Sequence, residues 1–401
     1  MNSNRIEELV SVYRDGLFQD VLPFWLEHCV DREHGGFTFC LGRDGSVIDT
    51  DKGVWHQGRF TWLLSRLYNT VEKRPEWLAP AKHGIDFISK HCIDPADGRM
   101  WFHVTREGRP IRKRRYAFSE AFASIAYGEY ARASANAGSA AKAQTLFDNF
   151  VAHRTAAGLA LPKFTDTRPM KSFGVPMITI GVAQELRDSV GLPQADEWID
   201  RSIEEIRRDF MKPDIPCVME TVGPNGEIMD HFDGRMLFPG HAIEGAWFIL
   251  REAKQRGDEE LVRMGCSMLD WMWQWGWDPE YGGLFYYRDV RDLPVQEYWH
   301  DMKFWWPHNE AIIATLLGYQ LTGNEKYAQW HSMVHDWSYS HFPDRQCGEW
   351  FGYLHRDGSM SVDLKGNLWK GPFHLPRMQL FCWQILAEMR AAEGQGIGGK
   401  G

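Results

Sequence analysis

Apolar positions recur at three- and four-residue spacing through twelve stretches of the chain. These are 6–28, 56–70, 80–92, 117–134, 141–152, 175–190, 195–210, 241–256, 258–275, 308–322, 325–340 and 374–393. The pattern predicts twelve helices in six pairs. One member of a pair is amphipathic, as in "DEELVRMGCSMLDWMWQW" from Asp258. The other is apolar nearly all round, as in "HAIEGAWFILREA" and "EAIIATLLGYQL". A helix apolar on every face is buried on every face.

Between the pairs a second pattern appears. "DREHGGFTF" begins at Asp31, "DPADGRMWF" at Asp94, "DPEYGGLFYYRD" at Asp278 and "DRQCGEWFGYLHRDG" at Asp344. Each reads Asp, three residues, Gly, then an aromatic. Asp and Gly suit a turn, and the alternation that follows suits a short strand or hairpin. The echo returns at roughly sixty residues, the signature of an internal repeat, with "KPDIPCVMETVGPNG" from Lys212 as a degenerate copy. Six buried helices ringed by six amphipathic ones predict an all-α fold, the closed (α/α)6 barrel or toroid, with short β-hairpins in its connections. A solenoid would not bury both faces of each inner helix. The repeat predicts one domain over residues 1–393 and a disordered Gly-rich tail from 394 to 401.

In a toroid the inner helices start on one rim, so their first turns can be compared. They open "GVWHQGRFTWLL" with His56 and Arg59, "RRYAFSEAFAS" with Tyr116 and Glu120, and "FGVPMITIGVAQEL" with no charge before Glu185. The other three open "PGHAIEGAWF" with His241 and Glu244, "KFWWPHNEAIIA" with Trp305, Trp306, His308 and Glu310, and "KGPFHLPRMQLFCW" with His374 and Arg377. A lone His there is usually a cap or a satisfied core group, and a lone Glu complements the helix dipole. His308 reads as structural on that ground. Charged and imidazole groups in phase on several buried helices are different, because burying them without partners costs several kcal/mol each, on the order of 5. A polar cavity with aromatic walls resolves the conflict.

These segments, with "GEWFGYLHRDG" and "WKGPFHLPRMQ", resemble the N-acylglucosamine 2-epimerase (renin-binding protein) family from about Arg5 to Met389. The resemblance implies an (α/α)6 barrel, a homodimer, and reversible epimerisation of N-acetylglucosamine and N-acetylmannosamine at C2. It makes His241 and His374 the acid/base pair, and Arg59 the binding arginine. Two histidines also make chemical sense. C2–H is acidic only in the open-chain aldehyde, and inversion needs one base on each face with a pKa near neutrality. Arg377 is a second candidate for the enolate oxygen. Glu244, Glu310, Tyr116 and Glu120 are candidates for sugar hydroxyls or for orienting a histidine, and Trp305 or Trp306 for packing on the sugar.

Cellobiose 2-epimerases and mannose-type aldose–ketose isomerases resemble the chain too. They carry a further histidine on the third inner helix, near which this chain has Met177. That departure favours the acylamino sugar. A glycoside hydrolase would need two facing carboxylates, leaving the histidines idle. A non-catalytic binding protein is a further alternative.

Composition narrows the rest. Net charge is −9, which argues against nucleic acid as a partner. The run Arg112–Arg115 reads as a solvated loop or an anion site. Some members of the family use ATP or another nucleotide as an activator, for which this run is a candidate. The chemistry itself requires no cofactor. Seven scattered cysteines without a CxxC pair, and no signal peptide, predict reduced thiols in the cytoplasm. No long uncharged apolar window predicts a membrane span, and no His/Cys/acid spacing predicts a metal site.

Overall fold

The computed structural model describes residues 1–114, 116–155 and 163–397. Its α-helices are α1 (Ser3–Asp15), α2 (Leu22–His28), α3 (Val54–Thr70), α4 (Pro75–His91), α5 (Phe118–Ser134), α6 (Ala137–Thr155) and α7 (Gly174–Val190). They continue with α8 (Ala195–Glu205), α9 (Phe232–Arg235), α10 (Pro239–Arg256), α11 (Glu259–Gly276), α12 (Trp305–Thr322), α13 (Glu325–His341) and α14 (His374–Ile397). Short π-helical segments, Gly16–Val21 and Ile206–Phe210, extend α1 and α8. Four helices start three or more residues before their expected positions, α1, α4, α6 and α12, and two of these have a clear cause. The fourth helix begins at Pro75 rather than near Pro80, because Pro75 takes the first helical position, where a missing N–H is harmless. The twelfth begins at Trp305 rather than His308, which places both tryptophans and Pro307 in its first turn. The backbone of α14 runs on to Ile397, into the segment expected to be a disordered tail; residues 398–401 lie outside the described residues.

The chain clusters into two compact units. The first comprises residues 25–207 and 364–373. In it α3, α5 and α7 pack in series, backed by α4, α6 and α8. The second comprises residues 1–24, 208–363 and 374–401. In it α10, α12 and α14 pack in series, backed by α11, α13 and α1. The inner helices are as apolar as the sequence suggests: Trp305 through Gly318 of α12 are buried without a break. The outer helices bury a stripe, as Tyr327, Ala328, His331, Val334, His335 and Ser338 do on α13. Caps punctuate them. Asp258 accepts from the Glu260 and Leu261 amides at the start of α11.

The predicted turn recurs in all four copies. The fifth residue's amide bonds back to the aspartate carbonyl, at Gly35, Gly98, Gly282 and Gly348. The aspartate amide bonds across to residue 36, 99, 283 or 349. The segment at Lys212 is instead a plain hairpin, pairing Met211–Lys212 with Cys217–Val218.

Two copies share more than the turn. In the first unit Lys52–Gly53 leads into α3 and pairs with His103–Val104, which pairs with Pro110–Arg112. In the second, Lys303–Phe304 leads into α12 and pairs with Tyr353–Leu354, which pairs with Met360–Val362 in the same register. Each patch carries one ionic clasp. Asp31 accepts from Lys52 at 2.9 Å and from Arg106 at 2.9 and 3.1 Å. Asp278 accepts from Lys303 at 2.9 Å and from Arg356 at 2.9 and 3.2 Å. Burial alone would raise both carboxyls, but hydrogen bonds from the arginine and lysine outweigh it and hold both well below the usual carboxylate range.

The inner helix is then tied to its turn by one side chain. Gln57 holds the Phe37 amide at 2.9 Å, Glu120 the Met100 amide at 2.9 Å, and His308 the Leu284 amide at 2.9 Å. At Gly36 and Gly283, both left-handed, a Cβ would lie 2.6 Å from the Gln57 oxygen and 2.8 Å from His308 Nε2.

Candidate active site

Three first turns of the second unit carry the charged and imidazole groups. Pro239 opens α10, so His241 and Glu244 fall in its first turns. Gly240 has no Cβ for a reason: one would lie 2.7 Å from the Trp306 ring. The Pro-Gly pair therefore both starts the helix and seats the tryptophan beside it.

His374, at the start of α14, donates from Nδ1 to Glu310 of α12 at 2.7 Å. Arg377, one turn on, bridges Glu244 of α10 at 2.6 Å and Glu310 at 2.7 Å. The other oxygen of Glu310 accepts from the Trp247 indole at 2.7 Å. All five side chains are buried. Burial would lower the Arg377 guanidinium, but the charges of Glu310 and Glu244 reverse that and raise it. Glu244, Glu310 and His374 offer donor atoms within 4.8 Å of one another, a grouping a metal ion could use. The Arg377 guanidinium already bridges the two carboxylates.

His241 has a carboxylate of its own. Its Nδ1 lies 3.0 Å from Glu220, which follows the strand Cys217–Val218. Because a carboxylate accepts, Nδ1 of each imidazole carries the proton, and in the neutral ring the basic lone pair is on Nε2. Both rings pack on Trp306, His241 at 5.4 Å and His374 at 5.5 Å between centroids. Phe238 packs at a tilt against His241 at 4.2 Å and meets Tyr286 and Tyr287 at 4.7 and 4.6 Å, completing an aromatic wall. Trp305 turns instead toward Tyr353 at 5.4 Å, and stands 6.3 Å from His374.

The second unit thus brings together His241, His374, Glu244, Glu310, Arg377, Trp305 and Trp306. Arg59, Tyr116 and Glu120 belong to the first unit. There Arg59 is buried with its guanidinium 4.0 Å from the Phe122 ring centre and 4.7 Å from that of Phe373. Tyr116 is half-buried, 4.8 Å from Phe118. Glu120 is fully buried and holds Arg99 and the Met100 amide, so its role there is to anchor the turn at Asp94. Lys113 pairs with Asp94 and Asp97, while Arg112 and Arg114 flank the Phe102 ring at 4.8 and 4.3 Å. Arg115 lies outside the described residues. His308 accepts from Leu284 and donates to the Phe304 carbonyl, and burial pushes it down to about 3, so it is a structural group, as its sequence position suggests.

Sequence reasoning missed Glu220 and Trp247. Glu220 lies in the degenerate copy of the repeat, out of phase with every first turn. Trp247 looks like any other core aromatic of α10.

A helical chain with paired histidines at the openings of buried helices fits an established fold. The solved structure of cellobiose 2-epimerase from Spirochaeta thermophila DSM 6192 superposes with a TM-score of 0.83 over 96% of this chain and 98% of that one, at 20% identity. The fold is therefore the (α/α)6 barrel. The family model of N-acylglucosamine 2-epimerase (GlcNAc 2-epimerase) matches residues 35–374. The chain is 37% identical to the N-acylglucosamine 2-epimerase of Bos taurus, over 95% of this chain and 92% of the relative. It is 35% identical to that of Rattus norvegicus, over 95% and 94%. The chain belongs to the N-acylglucosamine 2-epimerase family. Among the described residues, no helix is long and apolar enough to cross a membrane.

Proposed function

We propose that the protein interconverts N-acetylglucosamine and N-acetylmannosamine by moving a proton at C2 between His241 and His374. One observation carries the reading: two imidazoles on different helices flank one tryptophan, each with its Nδ1 held by a carboxylate. That arrangement supplies two bases of the same kind, which inversion at one carbon requires and hydrolysis does not.

The ring-opened sugar presents an aldehyde at C1, which makes C2–H acidic. One imidazole takes this proton through Nε2 and becomes an imidazolium against its carboxylate. The electrons move into an enolate, with negative charge on the C1 oxygen. The other imidazolium then delivers its proton to the opposite face of C2. Arg377, held between Glu244 and Glu310, orients His374 through Glu310 and supplies fixed positive charge near the developing enolate. Trp306 offers the sugar an apolar floor between the two imidazoles. Positioned acid–base groups of this kind are worth about 10²–10⁴-fold in rate.

The N-acyl substrate is favoured by the relatives at 35–37% identity, both N-acylglucosamine 2-epimerases. The test is incubation with N-acetylglucosamine, N-acetylmannosamine, mannose and cellobiose in D₂O, followed by proton NMR. The expected result is interconversion of the two N-acetyl sugars with loss of the C2 proton signal. Conversion of mannose to fructose, or epimerisation of cellobiose, without turnover of either N-acetyl sugar would overturn the substrate assignment. Turnover without deuterium at C2 would overturn the mechanism.

A further inference from the structure

The two imidazoles share a design but not an electrostatic setting, and the difference lies in their carboxylates. Glu310 serves three donors: His374, Arg377 and the Trp247 indole. Glu220 is nearly as buried, and among the described residues the only hydrogen-bond partner of its carboxylate is the ring of His241. No arginine or lysine among the described residues lies within ion-pair reach of it. A buried carboxylate without a cation is costly, so Glu220 draws a proton onto His241.

The groups around each ring agree with this. His241 faces Glu220, Phe238 and Trp306. Tyr287 and Tyr286 stand beside Glu220; burial, then neighbouring charge, pushes both hydroxyls up, so they remain neutral. His374 faces Glu310, with Glu244 close by, but Arg377 Nη2 lies only 3.3 Å from its own Nδ1. Its side chain is also the more deeply buried, 10% exposed against 28% for His241. A neighbouring cation and burial both disfavour an imidazolium.

We infer that Glu220 is a positioning residue that makes His241 the more basic imidazole, so that the singly protonated resting enzyme carries its proton on His241 and keeps His374 as the neutral base. The epimer whose C2–H faces His374 then meets an enzyme already in the required state. The opposite epimer must wait for the proton to relocate.

This rests on the two-histidine reading, and its test separates the two. In the pH profile of kcat/KM, the acidic limb reports protonation of His374 and the alkaline limb loss of the proton from His241. Glu220→Gln removes the charge that retains that proton. The alkaline limb should move down by about one pH unit while the acidic limb stays, and Glu220→Asp should restore most of the shift. A merely structural role would lower kcat at every pH and leave both limbs in place. The order can also be read without mutating Glu220. Histidine labelled with ¹³C at Cε1, assigned with His241→Gln and His374→Gln, should show His241 titrating above His374. The reverse order, or an unmoved alkaline limb in a folded Glu220→Gln protein, overturns the inference. If the wild type turned over no sugar, the functional reading would fall, while the titration order would still decide this one.

Discussion

Asp31, Lys52 and Arg106 of the first unit and Asp278, Lys303 and Arg356 of the second make the same clasp, with matching distances, on three-stranded patches of the same register. Above the clasps the units part. At the helical phase of His241, Pro307 and His374, the first unit has His56, Ser119 and Pro176. One turn on, where the second unit has Glu244, Glu310 and Arg377, the first has Arg59, Phe122 and Thr179. The repeat is thus a scaffold that holds the start of each inner helix, and the residues of those first turns vary freely upon it. In the second unit Glu244, Glu310, Arg377 and His374 form one connected hydrogen-bonded set, and His241 pairs with Glu220 beside it. In the first, Arg59 sits among aromatic rings.

Replacing the imidazoles gives the largest expected effect. His374→Gln or His241→Gln should cost turnover about 10²–10⁴-fold, with the fold retained by circular dichroism. Ser119→Ala, at the same phase on α5, should leave turnover close to wild type. Equal losses at both positions would mean that the chemistry is not confined to the histidine helices.

Breaking a clasp tests the shared part. Lys52→Met and Lys303→Met each leave a buried aspartate without its ammonium, which should destabilise by about 3–5 kcal/mol as read by denaturant midpoints. The two values should be similar, because the geometries match. Turnover should suffer more from Lys303→Met, since Lys303 lies two residues before Trp305. A large effect from one and none from the other would show that the units do not rely on the clasp alike.

Acid should separate the units. In the second, burial pushes His308 and His335 down to about 3 and His331 well below its usual value. His331 and His335 share the Tyr13 hydroxyl at 3.0 and 2.8 Å. The unfolded chain takes up protons near pH 6.5 that these rings refuse when folded, so stability falls as pH drops below that value. The slope is about 1.4 kcal/mol per pH unit for each ring, down toward the folded value. In the first unit His91 and His103, both partly exposed, are lowered by burial. Hydrogen exchange at pH 5 should therefore open 325–341 before 75–91. The reverse order would show that these histidines do not set acid lability.

Much of this was readable from the chain. Helix pairing followed from periodicity, and the turns from an Asp–Gly spacing that backbone hydrogen bonds demand. The in-phase positions put His241, His374, Glu244, Glu310 and Arg377 on one list; the last four bond to one another, and His241 joins them only through the Trp306 ring it shares with His374. The same list held Glu120, although it stands two residues before the phase of Arg59 and Glu310, where α5 has Phe122, and so falls in line with Gln57 and His308. Glu120 turns back to its loop as Gln57 and His308 do. Glu220 was invisible for the opposite reason: it reaches His241 from a strand end, through a contact that no period encodes. The tryptophan pair was ambiguous for a third reason. Only one of two adjacent residues can face the site, and the structure sets Trp306 against both imidazoles while Trp305 turns toward Tyr353.

The smallest effect sharpens the contrast between the patches. Arg112 and Val362 occupy the same edge position, each opposite the central strand of its patch. In the first unit the residue before that central strand is Phe102, whose ring lies 4.8 Å from the Arg112 guanidinium. In the second it is Gly352, which offers no ring. Arg112→Val copies the second unit's solution into the first and should cost only about 0.5–1 kcal/mol, the worth of an exposed cation–π contact. The β-branched side chain should recover part of that at a strand edge. A thermal melt should thus move by a few degrees at most, with turnover unchanged. A loss of turnover at unchanged stability would instead tie the Arg112–Arg114 run to a ligand, and the patch would then be more than scaffold.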